Sequence, residues 1–270
     1  MLWALGYSEQ ALQRSREALA LARELADPQS MAFTLYNACT VHHFRREWQT
    51  AREHGEMLIA LGQEQAFAFH VASGFVVRGL ALIEQGQEEE GIAQTRQGLA
   101  ALQGTGATLP WTVWSAPLAE AYWKLGYIEE GMALLKDAFT LTSKNGGHLY
   151  EAELYRLKGE LTLQRAGSRL QAIGLREKTE EEGVRLQALG LREKAEEAER
   201  CFHKAIKVAQ KQQAKSLELR ATVSLARLWQ QQGKQAEARQ RLAEIYGWFT
   251  EGFDTKDLQE AKVLLEELSR

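Results

Sequence analysis

The residues best placed for chemistry lie in CTVHHF, residues 39–44. On a helix Cys39 and His43 stand one turn apart with His42 adjacent, a spacing that offers two or three ligands to a transition metal. Core packing is the preferred reading of Cys39. His54, His70, His148 and His203 are scattered without carboxylates at matching spacing, and no serine or cysteine has a recognisable base to activate it. No G-x-x-x-x-G-K-[ST] loop occurs, and GTGATL from Gly104 lacks the third glycine of a dinucleotide fingerprint. The acidic runs in GQEEEG and GYIEEG fall in the first turn of helices, where negative charge meets the positive end of the helix dipole. Trp111 and Trp114, on either side of a short apolar stretch after Pro110, read as inter-helix packing. Without a constellation that satisfies the geometry of catalysis, the expectation is a non-enzymatic protein with no catalytic residue, no cofactor and no metal.

What would position a binding surface is a set of helices. The chain has 270 residues, 45% hydrophobic, with only 3 prolines and 9% aromatics, which favours helix over sheet. Lys and Arg number 33 against 36 Asp and Glu, so the net charge of -3 leaves no basic footprint for nucleic acid. Two cysteines far apart, Cys39 and Cys201, fit a reducing compartment, and no apolar run approaches the roughly 20 residues of a membrane span. The expected location is cytoplasmic, with no membrane partner.

The sequence repeats. LGYSEQALQRSREAL from Leu5, QGQEEEGIAQTRQGL from Gln85, LGYIEEGMALLKDAF from Leu125 and QGKQAEARQRLAEIY from Gln232 each carry a glycine followed five places on by a small residue. The glycines are Gly6, Gly86, Gly126 and Gly233, and Arg46 stands where the second unit would have one. The small residues are Ala11, Ala51, Gly91, Gly131, Ala198 and Ala238, forty apart except between Gly131 and Ala198, where the step is 67 and 27 residues are extra. Apolar and small residues recur at three- and four-residue steps on both sides of each glycine, so the unit is helix, turn, helix. A small residue at the crossing lets two helices approach closely. Units are expected near 1–28, 29–66, 67–106, 107–146, 147–212 and 213–252, with a capping helix over 253–270. In that helix Leu258, Ala261, Leu264, Leu265 and Leu268 form one stripe and Asp254 or Thr255 supplies the N-cap. The first residues, MLWALG, read as the last turn of a helix that starts earlier in a longer protein, leaving Leu2 and Trp3 without an obvious partner; the alternative is a native start, with Leu2 and Trp3 capping the core.

These features resemble tetratricopeptide repeats. Tyr155 and Gly159 match the aromatic and glycine of that family's first helix, with Gly79 and Tyr122 in other units, and Ala198, Phe202 and Ala205 match the second helix. The forty-residue period resembles the MalT-like variety. The stretch from AKSLELRATVSLARLWQQQGKQAEARQRL onward is similar to the C-terminal end of bacterial proteins that carry a nucleotide-cyclase homology domain and a P-loop ATPase domain upstream. The resemblance implies a right-handed all-α solenoid of antiparallel helix pairs. It implies a protein-interaction scaffold or regulatory module of a bacterial multidomain signalling protein, binding a peptide or partner domain on its concave face. The alternative is a small-ligand sensor regulating an upstream ATPase, cyclase or transcription-regulator domain.

Carried over by register, the family's groove positions are Phe33, Tyr36, Thr40 and His43, then Val76, Leu80 and Glu84, then Glu120, Trp123 and Lys124, then Glu153, Arg156 and Glu160, and finally Arg220, Arg227 and Gln230. One end of this set is aromatic and the other charged, which suits a partner with an apolar anchor and a charged tail. Glu153, Arg156 and Glu160 are also explained as i, i+3 and i+4 pairs of one helix surface.

The extra residues contain a near-duplication, RLQAIGLREKTEEEG and VRLQALGLREKAEEAE, over residues 169–199. The inserted segment, 167–194, is expected to lengthen two successive helices into a hairpin turning at Gly183, each arm longer by about 13 residues or ~20 Å. A disordered acidic and basic loop is the other reading, and the segment is either a partner-binding spur or an in-frame duplication without a role.

Overall fold

The computed structural model describes residues 2–145, 148–174 and 181–270, and among them it is all-α. The helices are α1 (Ser8–Leu25), α2 (Pro28–Phe44), α3 (Trp48–Glu64), α4 (Ala68–Glu84), α5 (Glu88–Gly104), α6 (Thr108–Leu125), α7 (Ile128–Asn145), α8 (Glu151–Gly174), α9 (Glu181–Lys211), α10 (Lys215–Gln231), α11 (Gln235–Tyr246) and α12 (Lys256–Glu267). A single 3-10 turn, His148–Tyr150, precedes α8.

The forty-residue beat of the sequence is a twenty-residue beat of the backbone. Gly6, Ala26, Arg46, Ala66, Gly86, Gly106 and Gly126 all have positive φ, and the pattern resumes at Gln213, Gly233 and Gly252. All but Gly6 and Gly252 directly follow a described helix or its last turn. At Gly86 the N–H donates to the Ile83 carbonyl (3.0 Å) and the next N–H, of Gln87, reaches back to Leu82 (2.9 Å), which satisfies two of the carbonyls a helix end leaves open. Glycine enters that left-handed turn freely. Arg46 makes the same two bonds, to His43 and from Glu47 to His42, at φ 60, a conformation that costs an L-residue roughly 1–2 kcal/mol.

Consecutive helices pack on one another, and α2, α4, α6, α8, α10 and α12 also touch in succession, so the even-numbered helices form an inner layer and the odd-numbered ones an outer layer. Small residues bring the layers together. A Cβ on Gly79 of α4 would lie 2.7 Å from the Gly91 carbonyl oxygen of α5, and one on Gly159 would meet the Phe202 ring at 2.5 Å. Ala198, Phe202 and Ala205 are wholly buried at the α8–α9 contact. The main core runs from Leu19 to Leu161 through Leu35, Leu58, Val76, Leu102, Trp114 and Leu135.

Three expectations meet different outcomes. Helices α8 and α9 have 24 and 31 residues, against 17 or 18 for α1 through α7, so the insertion extends both arms. Gly183 nevertheless lies within α9 rather than between the two helices; residues 175–180 lie outside the described residues. Thr255 takes the N-cap position of α12, but its hydroxyl donates to the Gly252 carbonyl at 2.6 Å and caps nothing, while Asp254 turns to Arg45. Leu258, Ala261, Leu264 and Leu268 are buried as one stripe, with Leu265 packed at its edge.

Leu2 and Trp3 have partners. Trp3 is 6% exposed, stacked on Phe44 at 4.7 Å, and clustered with Ala209, Ala214 and Leu217. Ser216 donates its N–H to the Ala4 carbonyl and its hydroxyl to that of Trp3. Farther on, the Glu251 carboxylate accepts from the N–H groups of Glu9 and Gln10, and the Glu9 carboxylate accepts from Gly252 N–H at 3.0 Å. Thus α1, whose own Tyr7 offers no cap, is capped by a residue 242 positions away. The inner layer closes on itself.

Candidate functional site

Closure of the inner layer brings charged side chains from five of its helices and one turn into a single chamber. Arg46 reaches across from the turn after α2 to Glu260 at 2.7 Å, Asp257 at 3.3 Å and Glu120 at 3.6 Å. Arg156 is held by both oxygens of Glu153, at 2.6 and 3.0 Å, with Glu120 and Glu160 each at 3.8 Å. Arg220 donates to Asp257 at 2.8 Å and lies 3.7 Å from Glu153. Lys124 pairs with Glu84, one repeat earlier on the inner layer, and Arg227 with Glu260. Glu160 accepts from the Ser224 hydroxyl.

Five cations and six carboxylates therefore share this space, and each has an oppositely charged neighbour. Burial pushes the Glu120 carboxyl up, but Lys124, Arg156, Arg46 and Arg220 outweigh it and hold the group well below the ordinary carboxylate range. Burial likewise works against the charge on Arg156 and Arg220, and the surrounding carboxylates overcome it, so both remain firmly protonated. A cavity of about 220 Å³ remains beside Trp123, Arg156 and Arg227.

A wall of rings bounds the chamber. Trp3, Phe44 and Tyr150 stack in sequence at 4.7 and 5.2 Å, Trp114 lies parallel to Phe44 at 6.0 Å, and the Arg220 guanidinium sits 4.9 Å over Trp3. Phe44 and Tyr150 face a small void on the charged side and also line a second cavity on the other. That second cavity, of about 460 Å³, lies between the first turn of the chain, α1, α2 and the start of α6. Leu2, Trp3, Phe33, Tyr36, Val41, Leu109, Pro110 and Val113 make it apolar. Asp27 caps α2 by accepting from Ser30 N–H, with Pro28 at the first position, which fixes where Phe33, Tyr36 and Thr40 emerge one turn apart.

The expected groove residues divide between these places. Phe33, Tyr36 and Thr40 line the apolar cavity. His43, Leu80, Glu84, Glu120, Trp123, Lys124, Glu153, Arg156, Arg220 and Arg227 line the charged chamber, and Glu160 joins it through Arg156. Val76 faces no cavity: it is fully buried, its Cγ2 against Gly98 of α5. Gln230 is half-buried near the end of α10 and lines neither chamber. Register alone did not find Arg46, Asp257, Glu260, Tyr150, Val113 or Ser15. Arg46 did carry a signal, as a charged residue where the repeat has glycine.

The Cys39 and His43 pair does not form a metal centre. Cys39 is fully buried in the core, where desolvation drives its thiol pKa up. His43 is enclosed by Phe44, Trp48 and Trp114, and burial, aided by Arg220, lowers its pKa to about 3. His42 instead contacts the Glu47 carboxylate, whose pKa burial raises but His42 and Arg45 bring down to about 2. Among the described residues no group of three or more His, Cys, Asp or Glu side chains is arranged to hold a metal ion, and no helix is long and apolar enough to cross a membrane. No protein-family model matches the chain, and no curated protein gives a significant match.

Proposed function

We propose that this chain is a right-handed, tetratricopeptide-like solenoid of the MalT-like variety, serving without catalysis as a cytoplasmic regulatory module of a bacterial signalling protein and sensing a small ligand. The observation that carries this reading is the 460 Å³ apolar cavity at the aromatic end of the inner layer, a volume within the usual range of small-molecule sites. The charged inner face is a poor receptor for a peptide as it stands, because its arginines and carboxylates already satisfy one another and a ligand would have to displace them. Ligand occupancy would be felt by the aromatic wall, by Arg220 behind it, and so by the contacts that close the inner layer. An upstream ATPase, cyclase or transcription-regulator domain is the kind of output such a change would serve.

The scaffold reading, in which a peptide or partner domain docks here, has its own support. Phe33 and Leu109 at the cavity mouth are 61% and 47% exposed, and exposed apolar residues grouped in this way are what a macromolecular partner covers. A thermal-shift screen of the whole chain against metabolites separates the two, since a ligand selective for the folded state raises its stability. Ala18 is exposed and lines the cavity, so Ala18→Trp obstructs it without entering the core. A saturable shift lost in Ala18→Trp supports the sensor. A shift kept in that variant places the site elsewhere, and the absence of any shift favours the scaffold.

A further inference from the structure

Residues 2–7 are folded as the end of an inner-layer helix. Gly6, at φ 97, donates its N–H to the Trp3 carbonyl at 2.9 Å, and Tyr7 donates to that of Leu2 at 3.0 Å. Gly86 and Gln87 make the same pair of bonds, to Ile83 and Leu82, at the end of α4, eighty residues on. In that unit α4 packs along α5. A Cβ on Gly98 of α5 would meet Val76 Cγ2 at 2.6 Å, and one on Gly79 of α4 would meet the Gly91 and Thr95 backbones at 2.7 Å. The matching positions of α1 are Ala11, Ser15 and Ala18, and all three line the apolar cavity instead. The neighbouring inner helix shows the same contrast. Phe33 and Asn37 of α2 are exposed and line the cavity, whereas Ser73 and Val77, forty residues on in α4, are fully buried. In the inner layer α4 has α2 before it; among the described residues α2 has only the turn at 2–7, through Leu2 and Trp3. The cavity therefore occupies the place that the repeat gives to an inner-layer helix, alongside α1 and α2 and leading into Leu2.

We propose that this cavity is the seat of one more inner-layer helix, entering Leu2 from the upstream part of the parent protein. The proposal rests on the reading of this chain as a module of a larger signalling protein, and it supplies the physical link to the output domain. The walls of the cavity set the character of the helix. It is amphipathic, with a small residue seven places before Gly6 to pass Ala11 and Ser15, and apolar residues ten and fourteen places before it to cover Ala18. Gly79, Val76 and Ala72 stand at those distances before Gly86. Burial of that face against Phe33, Tyr36 and Val113 supplies the affinity. A small apolar ligand in the same space excludes the helix, so occupancy of the cavity reaches the upstream domain as a displaced linker.

Placing a copy of residues 68–81 of α4 directly before Leu2 of the whole chain supplies such a helix in register and tests the seat. Ala18 is exposed while Cys39 and Cys201 are buried, so in Ala18→Cys the new thiol is the accessible one and its alkylation rate reports cover. The added helix should slow that rate at least about tenfold. It should leave the rate in Arg16→Cys unchanged, since Arg16 is exposed on α1 outside the cavity. It should also raise the midpoint of chemical denaturation. One alanine inserted before Leu2 turns the added face by about 100° and should abolish both effects. Equal alkylation of Ala18→Cys with and without the helix, or equal protection by the rotated helix, overturns the proposal. If the helix fails in this way while a metabolite gives a thermal shift that Ala18→Trp removes, the seat falls and the sensor stands. If the helix protects Ala18→Cys and no metabolite shifts the chain, the seat stands and the sensor falls.

Discussion

The charged chamber and the apolar cavity lie on opposite sides of one aromatic wall, and they differ in lining: paired charges on one side, mostly hydrocarbon on the other. In the chamber, Arg46, Arg156 and Arg220 are each matched by carboxylates, down to a two-pronged contact between Arg156 and Glu153. In the cavity the lining is mostly apolar; a buried polar atom without a hydrogen-bond partner occurs on both sides, Ser15 Oγ here and Asp257 Oδ1 and His43 Nδ1 there. A set of buried charges that satisfies itself holds helices in place, since losing one member leaves the others uncompensated. A roomy apolar cavity has no such internal constraint.

If that division is right, the largest response should come from the chamber. Arg156→Met leaves Glu153, Glu120 and Glu160 facing one another and should cost about 3–5 kcal/mol, read from chemical denaturation. A loss under about 1 kcal/mol would mean that the chamber behaves as a solvated surface and the contrast with the cavity fails.

Acid should act next, through His43 on the chamber side of the wall. Its ring is surrounded by Phe44, Trp48 and Trp114 and feels Arg220, Glu120, Lys124 and Arg46. Because its folded pKa is depressed to about 3 from 6.5, the unfolded chain binds the proton first. Stability conferred by the neutral ring is complete above pH 6.5 and declines as pH falls toward 3, by up to ~1.4 kcal/mol per pH unit. Glu120, whose pKa is lowered, adds its own loss as pH falls through the ordinary carboxylate range and below. Denaturation midpoints across this window should flatten in His43→Phe, and an unchanged slope would remove His43 as the cause.

Arg46 separates backbone from charge. Both Arg46→Ala and Arg46→Gly forfeit the contacts to Glu120, Asp257 and Glu260, but only glycine is at ease at φ 60. The alanine variant should be the less stable by ~1 kcal/mol, and both should lose part of the salt dependence of the wild-type melting temperature. Equal stabilities would show that the left-handed turn carries no strain.

The smallest effect should be at the cavity mouth. Phe33 is 61% exposed, so Phe33→Ala should change stability by no more than ~0.5 kcal/mol while reducing the protection that the added helix gives Ala18→Cys. A large stability loss there would make the cavity a packing feature rather than a receptor.

Much of the fold was legible because it is local. The helical period, the recurring glycine and the small residue five places on all act within one unit, and Gly79, Gly159 and Ala198 do sit where helices approach most closely. The candidate site was legible by half. Glu153, Arg156 and Glu160 announce themselves as neighbours on one helix, but Asp257 and Arg220 meet across 37 residues and Arg46 and Glu260 across 214, and no periodicity encodes such pairings. Val76 shows the reverse error: it keeps the register of a groove position, but the glycine at position 98 draws α5 so close that the side chain is fully buried. Ser15 is invisible in sequence because an unpartnered hydroxyl is defined by what surrounds it.

The mutual capping of Glu9 and Glu251 has a consequence for how the chain is made. Folding of stacked repeats propagates between neighbouring units, yet Trp3, the start of α1 and Arg45 find part of their contacts in residues 209–254. During synthesis that opening stretch leaves the ribosome some two hundred residues ahead of part of the surface it needs, and Tyr7 waits for Trp248. Its docking is a late event of long sequence separation, and the nascent chain is one for which a holdase chaperone is a natural companion.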